Sequence, residues 1–179
     1  MFAAGDLVIY GGNGVCEVTE VGPLRGSRGA ERKRLYYTLR PRSGTETIYA
    51  PVDTPVYMRG IISREEAERL IDCIPELSVQ VCNDRNLRAL TDHYKASLDT
   101  HDCLALLETV KAVYLKGKQA AEQKRKPGQV DQRFGKRAEE LLHGELAAAL
   151  DIPVEEVKPY IAARVKALEK RRAGARTPQ

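Results

Sequence analysis

The chain has 179 residues, 42% of them hydrophobic and 30% charged, with a formal net charge of +4. Such values exclude a disordered or collagenous chain and fit one large domain or two small ones. The modest charge is a weak argument for nucleic acid by itself, and no apolar run approaches the ~18 residues of a membrane span.

Met1-Phe2-Ala3-Ala4 leads straight to Gly5-Asp6, so no secretory signal is expected and a reducing cytoplasm is the expected compartment. Residues 1–60 are rich in Gly, Pro, Val, Ile and Tyr and read with period two. Residues 7–10 predict a short strand. Gly11-Gly12-Asn13-Gly14 predicts a turn, because it supplies positions tolerant of positive φ. Val15 to Val21 alternates and pairs back as a hairpin, which Gly22-Pro23 ends. Residues 24–32 are polar and predict a mobile loop. Residues 35–40 predict a third strand, Pro41-Arg42-Ser43-Gly44 a turn, and residues 45–50 a fourth strand that Pro51 breaks. Residues 55–59 predict a short fifth strand. Five short strands in so few residues fit a small, strongly bent barrel of the SH3 or Tudor type, a scaffold that does not by itself reveal its partner.

From residue 61 the pattern changes to Leu, Ala, Lys and Glu at helical spacing. Ser63-Arg64-Glu65-Glu66 is a capping box opening a helix with Ala67, Leu70, Ile71 and Ile74 on one face, stopped by Pro75. Residues 84–98 predict a second helix with Leu87, Leu90, Tyr94 and Leu98 in one stripe. A longer third helix starts near Cys103, with a stripe of Cys103, Leu106, Leu107, Val110, Val113 and Tyr114, and closes at Lys126-Pro127-Gly128. Residues 131–150 predict a fourth helix. Asp151-Ile152-Pro153 breaks the chain before a fifth, which Pro159 kinks or restarts, and residues 173–179 read as frayed. The expected architecture is α+β in two domains, a barrel over 1–60 and an all-α domain of about five helices over 61–179.

Chemistry-bearing residues are sparse. Cys16, Cys73, Cys82 and Cys103 form no C-x-x-C pair, and His101-x-Cys103 lacks a second ligand pair, so no metal and no other cofactor is expected. A Cys with His101 or His143 has no oxyanion hole or third group to complete it, and no Lys-Ser/Thr and helix follow the Gly11–Gly14 turn to make a phosphate cradle. The chain is therefore expected not to be an enzyme and to take no small-molecule substrate. Two basic clusters are evident: Lys111, Lys116, Lys118, Lys124, Arg125 and Lys126, and Lys158, Arg164, Lys166, Lys170, Arg171, Arg172 and Arg176. Each fits either phosphate contact or solvated helix ends near the negative pole of the macrodipole.

Several segments together resemble CarD-type bacterial transcription regulators, whose polymerase-interacting module also occurs in the transcription–repair coupling factor. They are Gly5-Asp6-Leu7-Val8-Ile9-Tyr10 with Gly14-Val15, Tyr36-Tyr37-Thr38-Leu39, and Thr47-Ile48-Tyr49-Ala50-Pro51-Val52-Asp53 with Arg59. In the helical half they are Tyr94-Lys95-Ala96-Ser97-Leu98 and the run from Arg137 to Ala147. The resemblance implies a DNA-binding regulator whose barrel docks on the RNA polymerase β subunit, partly by adding an edge strand. It implies that the helical domain meets promoter DNA at the upstream edge of the bubble and stabilises the open complex. The implied polymerase-binding residues are Arg25, Arg40, Arg42, Tyr49 and Pro51, with Tyr49 either an interface contact or a cover for the barrel. The implied DNA-binding residues are Arg85, Arg88, Leu90, Lys95 and Arg133. Relatives carry a Trp wedge where this chain, which has no Trp, places Leu90. Leu90 is thus either a weaker wedge or a core residue. The expected molecule is a monomer that is nucleoid-associated through the polymerase and has no membrane contact. The alternative is an adaptor that binds polymerase without productive DNA contact.

Overall fold

The structure, a computed structural model, describes residues 1–26, 29 and 33–175. Within the loop read at 24–32, residues 27, 28 and 30–32 lie outside the described residues, as do residues 176–179, including Arg176. The chain divides into two compact units, Met1–Ile61 and Ile62–Gln179.

The first unit is a five-stranded antiparallel sheet: β1 (Leu7–Tyr10), β2 (Val15–Gly22), β3 (Tyr36–Pro41), β4 (Ile48–Pro51) and β5 (Met58–Gly60), in the order β4-β3-β2-β1-β5. A register shift between Val18 and Glu20 interrupts the β2–β3 ladder, and such a bulge strengthens local twist and lets a short sheet bend. Val8, Tyr10, Cys16, Val18, Tyr37, Leu39 and Ala50 from four of the strands fill one core, which makes this a small barrel-like domain. Between β1 and β2, Gly11 adopts φ +47, and a Cβ there would lie 2.9 Å from Val56 Cγ1. The turn thus requires glycine twice over, for backbone and for space. Pro51 does not break the ladder as expected. It pairs with Tyr36, which an edge strand permits where the missing N–H faces away from the neighbour.

Burial, with a smaller contribution from the Glu46 carboxylate, pushes the Cys16 thiol up to about 11. The thiolate is the reactive form, so iodoacetamide at neutral pH leaves Cys16 unmodified in the native protein and labels it after denaturation. Peptide mass spectrometry checks this. Native labelling at the rate of a free thiol defeats it.

The second unit is helical: α1 (Arg64–Asp72), α2 (Leu87–Leu98), α3 (Cys103–Glu122), α4 (Gln129–Leu150) and α5 (Val154–Ala175). The capping box at Ser63 and Glu66 forms in both directions. Helix α2 begins later than the expected residue 84 because the Asn86 side chain accepts from the Arg88 and Ala89 N–H groups and so caps it there. Helix α3 ends at Glu122, before Lys126, with Lys124 in the left-handed region at φ 54. Helix α5 continues through Pro159, which sits near enough to the N-terminus that few backbone bonds are forfeited. Residues 173–175 are its last residues, so the fraying expected from 173 does not begin there.

Ala67, Ile71, Cys103, Leu106, Leu107, Ala138, Leu142, Leu146, Leu150 and Val157 lie in the main core, and Leu90, Tyr94 and Phe134 form a second cluster. Tyr114 leaves its expected stripe and is 68% exposed. Helix α4 meets α3 at Val113 instead: a Cβ on Gly135 would fall 2.6 Å from Val113 Cγ1. Glu145 is a buried carboxylate whose oxygens accept from the Ile62 N–H and the Cys103 thiol, each at 3.0 Å. No helix among the described residues is long and apolar enough to cross a membrane.

Candidate functional site

The edge strand β4 carries two of the first candidate set, Tyr49 and Pro51. The Val52 N–H donates to the Leu35 carbonyl at 3.0 Å, and Tyr37↔Ala50 and Leu39↔Ile48 continue that register two residues at a time. By antiparallel alternation, the Tyr49 N–H and C=O and the Pro51 C=O face the free side. Among the described residues β4 pairs only with β3. Ala50 enters the core, whereas Tyr49 on the opposite face is 57% exposed. The Arg25 side chain is 94% exposed, 3.8 Å from Glu20. Arg25, Glu20, Thr38, Thr47 and Tyr49 line one shallow depression beside the edge.

The remaining two arginines differ. Arg40 stands opposite Glu17 in the ladder, and its guanidinium donates to the Glu17 carboxylate at 2.8 Å. Arg42 lies past the ladder's end. Its backbone N–H donates to the Val15 carbonyl at 2.9 Å, and its side chain is exposed.

The second candidate set lies on the helical unit. Arg85, Arg88 and Lys95 are exposed, on α2 or the turn before it. Arg133 is exposed on α4 and holds its guanidinium 4.9 Å from the centre of the Phe134 ring. Phe134 stacks in turn on Tyr94, ring centres 5.4 Å apart at 25°. Leu90 is only 3% exposed and packs with Tyr94 and Phe134. It is therefore a core residue, and the expectation of a wedge there is corrected: the α2 face that meets α3 and α4 carries it inward. The exposed leucine of this helix is Leu87, at 65%, which the periodic stripe had placed in the core. The missed signal was Asn86. A capping residue marks where a helix begins, and at the first helical position Leu87 precedes the turn that reaches the core.

Beneath these residues lies a buried polar group. Tyr94 Oη donates to Asp131 Oδ1 at 2.5 Å, and Lys116 Nζ donates to the same oxygen at 2.9 Å. Burial, reinforced by Asp131, raises the Tyr94 phenol well above its ordinary value.

Both basic clusters are partly spent inside the fold. Lys111 Nζ donates to the Ile74 and Leu77 carbonyls at 2.8 and 2.6 Å, and Lys116 Nζ donates to the Cys82 carbonyl at 2.9 Å. Arg164 pairs with Asp72 and Glu68, Arg172 with Glu76, and Lys158 with Glu139. Lys118, Lys124, Lys126, Lys166, Lys170 and Arg171 remain at the surface. The Cys103 thiol is buried and bonded to Glu145. His143 lies 4.0 Å from Glu139, and burial lowers its pKa despite that carboxylate. No group of three or more His, Cys, Asp or Glu among the described residues is arranged to hold a metal.

No curated protein matches the chain. Residues 2–62 match the model of the CarD-like/TRCF RID domain family. That match spans the first unit and its core strands. The family is one of protein-interaction domains rather than a known class of enzyme, and the match over residues 2–62 supports an RNA polymerase-interacting, transcription-related protein. Residues 2–62 of this chain form a CarD-like/TRCF RID domain.

Proposed function

We propose that the protein regulates transcription by docking its RID domain on the β subunit of RNA polymerase through the β4 edge while its helical unit contacts promoter DNA near the upstream edge of the bubble. The open complex is thereby stabilised. The observation that carries the docking step is the outer edge of β4, which among the described residues pairs only with β3, with the Tyr49 N–H and C=O outward and exposed Tyr49 and Arg25 beside it. Strand addition draws affinity from backbone bonds and selectivity from adjacent side chains. The DNA step is supported by exposed Arg85, Arg88, Lys95 and Arg133, side chains suited to phosphates rather than to base reading. Exposed Leu87 between Arg85 and Arg88 is the apolar group best placed to meet an opened base step. The burial of Leu90 favours a second reading, an adaptor that holds polymerase without productive DNA contact. Salt-dependent binding to a bubble duplex separates the two.

The docking test uses the isolated β subunit and the full chain. Arg42→Glu weakens the complex several-fold by placing a like charge at an interface rim selected for cations. Arg42 is a cleaner probe than Arg40, whose reversal would set two glutamates opposite each other in the ladder. Tyr49→Pro removes the outward N–H and reduces binding further. A β subunit that binds wild type and both variants equally would sink the edge-docking step. Circular dichroism and the thermal midpoint establish that each variant is folded.

A further inference from the structure

The segment between α1 and α2, residues 73–86, has no helix or strand of its own, yet it delivers Arg85 and the start of α2. Two lysines on α3 hold its backbone. Lys111 grips the Ile74 and Leu77 carbonyls just after α1. Lys116 grips the Cys82 carbonyl, three residues before Arg85. Lys116 is itself fixed by Asp131, which Tyr94 also holds. Side chains assist: Leu77 packs on the main core and Cys82 on the Leu90–Tyr94–Phe134 cluster. Past Cys82 the Asn86 N–H donates to Asp84 Oδ1 at 2.8 Å, which shapes the turn into the cap. An ammonium has three donors on a compact charge. One such group can gather carbonyls that water would otherwise solvate, and a charge-assisted bond is stronger than a neutral one.

We propose that Lys111 and Lys116 are positioning residues: their ammonium groups clamp the α1–α2 segment so that Arg85, Leu87 and Arg88 are presented to DNA in one geometry. The inference rests on the DNA-contacting reading above. It also reassigns two lysines of a basic cluster from phosphate contact to internal support. A positioning lysine and a contacting lysine differ in one measurable respect. Loss of a phosphate contact lowers the slope of log affinity against log salt by about 0.9. Loss of a clamp lowers affinity and leaves the slope alone.

The test uses the full chain and a labelled duplex with a pre-melted bubble. Lys116→Met alone would strand the Asp131 charge, so Lys116→Met is combined with Asp131→Asn, which keeps an acceptor for Tyr94. Lys111→Met probes the other clamp. Each variant is expected to bind about tenfold more weakly, with the wild-type salt slope. Amide exchange is expected to quicken in residues 74–86 for Lys111→Met, in residues 80–88 for the Lys116 variant, and in neither case through α4 and α5. Lys95→Ala is the contact control and lowers the slope. A slope reduced by about one in the Lys116 variant would make Lys116 a phosphate ligand and overturn the proposal. Unchanged affinity with unchanged exchange would also overturn it, as would exchange that quickens throughout the unit. If wild type shows no salt-dependent binding, the DNA reading fails instead, and the exchange pattern alone decides whether the clamps order the segment.

Discussion

Asp131→Ala is expected to cost the helical unit about 3 kcal/mol, the largest single effect anticipated for a polar residue here. Asp131 is 5% exposed and accepts from both Tyr94 Oη and Lys116 Nζ. Truncation leaves a buried phenol and an ammonium without their acceptor. Removing one member of a buried pair typically costs about 3–5 kcal/mol. The Lys116 side chain keeps 22% of its exposure, so water recovers part of that loss, which selects the lower end of the range. Asp131→Asn preserves an oxygen for Tyr94 and is expected to cost about 1 kcal/mol. Urea denaturation monitored by helical circular dichroism distinguishes them; equal stability of Asp131→Ala and wild type would remove the triad from the account. The same group sets a pH dependence. Because burial and Asp131 raise the folded Tyr94 pKa, its stabilising contribution is full below the unfolded tyrosine value of about 10. It declines as pH rises through and beyond that value, and Tyr94→Phe should flatten this alkaline decline.

Tryptophan placed at two leucines one turn apart should give opposite results. Leu90→Trp inserts a larger ring into the cluster with Tyr94 and Phe134 at a site 3% exposed. Overpacking of that kind costs roughly 1–3 kcal/mol, so the thermal midpoint falls and the open complex lives no longer than with wild type. Leu87→Trp acts at a site 65% exposed. Nothing is overpacked there, so the midpoint holds within about 0.5 kcal/mol of stability. Under the proposed function a flat ring beside Arg85 and Arg88 gains stacking of about 1–3 kcal/mol by analogy with base–aromatic contacts, and the open-complex half-life lengthens by about fivefold or more. The two variants are measured together for midpoint and half-life. A Leu87→Trp protein with a normal midpoint and an unaltered half-life would move the DNA contact away from the α2 N-terminus. A Leu90→Trp protein with an unchanged midpoint would contradict the core assignment.

Local chemistry made much of this protein legible. Period-two alternation, the glycine turn at 11–14 and the Gly22-Pro23 stop located the first strands, because each depends on neighbouring residues and backbone sterics alone. The Ser63–Glu66 capping box marked the start of α1 for the same reason. The ordered motifs from Gly5 to Arg59 led to the RID family, and the match over residues 2–62 supports it. What the chain did not disclose was which side of an element would be covered. Leu87 and Leu90 share a stripe and a side-chain type, yet one is exposed and the other buried, because α3 and α4 meet α2 only after its first turn. Tyr114 repeats the pattern on α3, where the close approach of Gly135 makes Val113 the inward residue. Lys111 and Lys116 show it for charge. By sequence they belonged with exposed lysines such as Lys118 and Lys124, but residues more than thirty positions away supplied carbonyls for them. Periodicity specifies a face, and caps specify an end. Burial and the partner of a long cationic side chain depend on elements distant in sequence, and only their packing decides them.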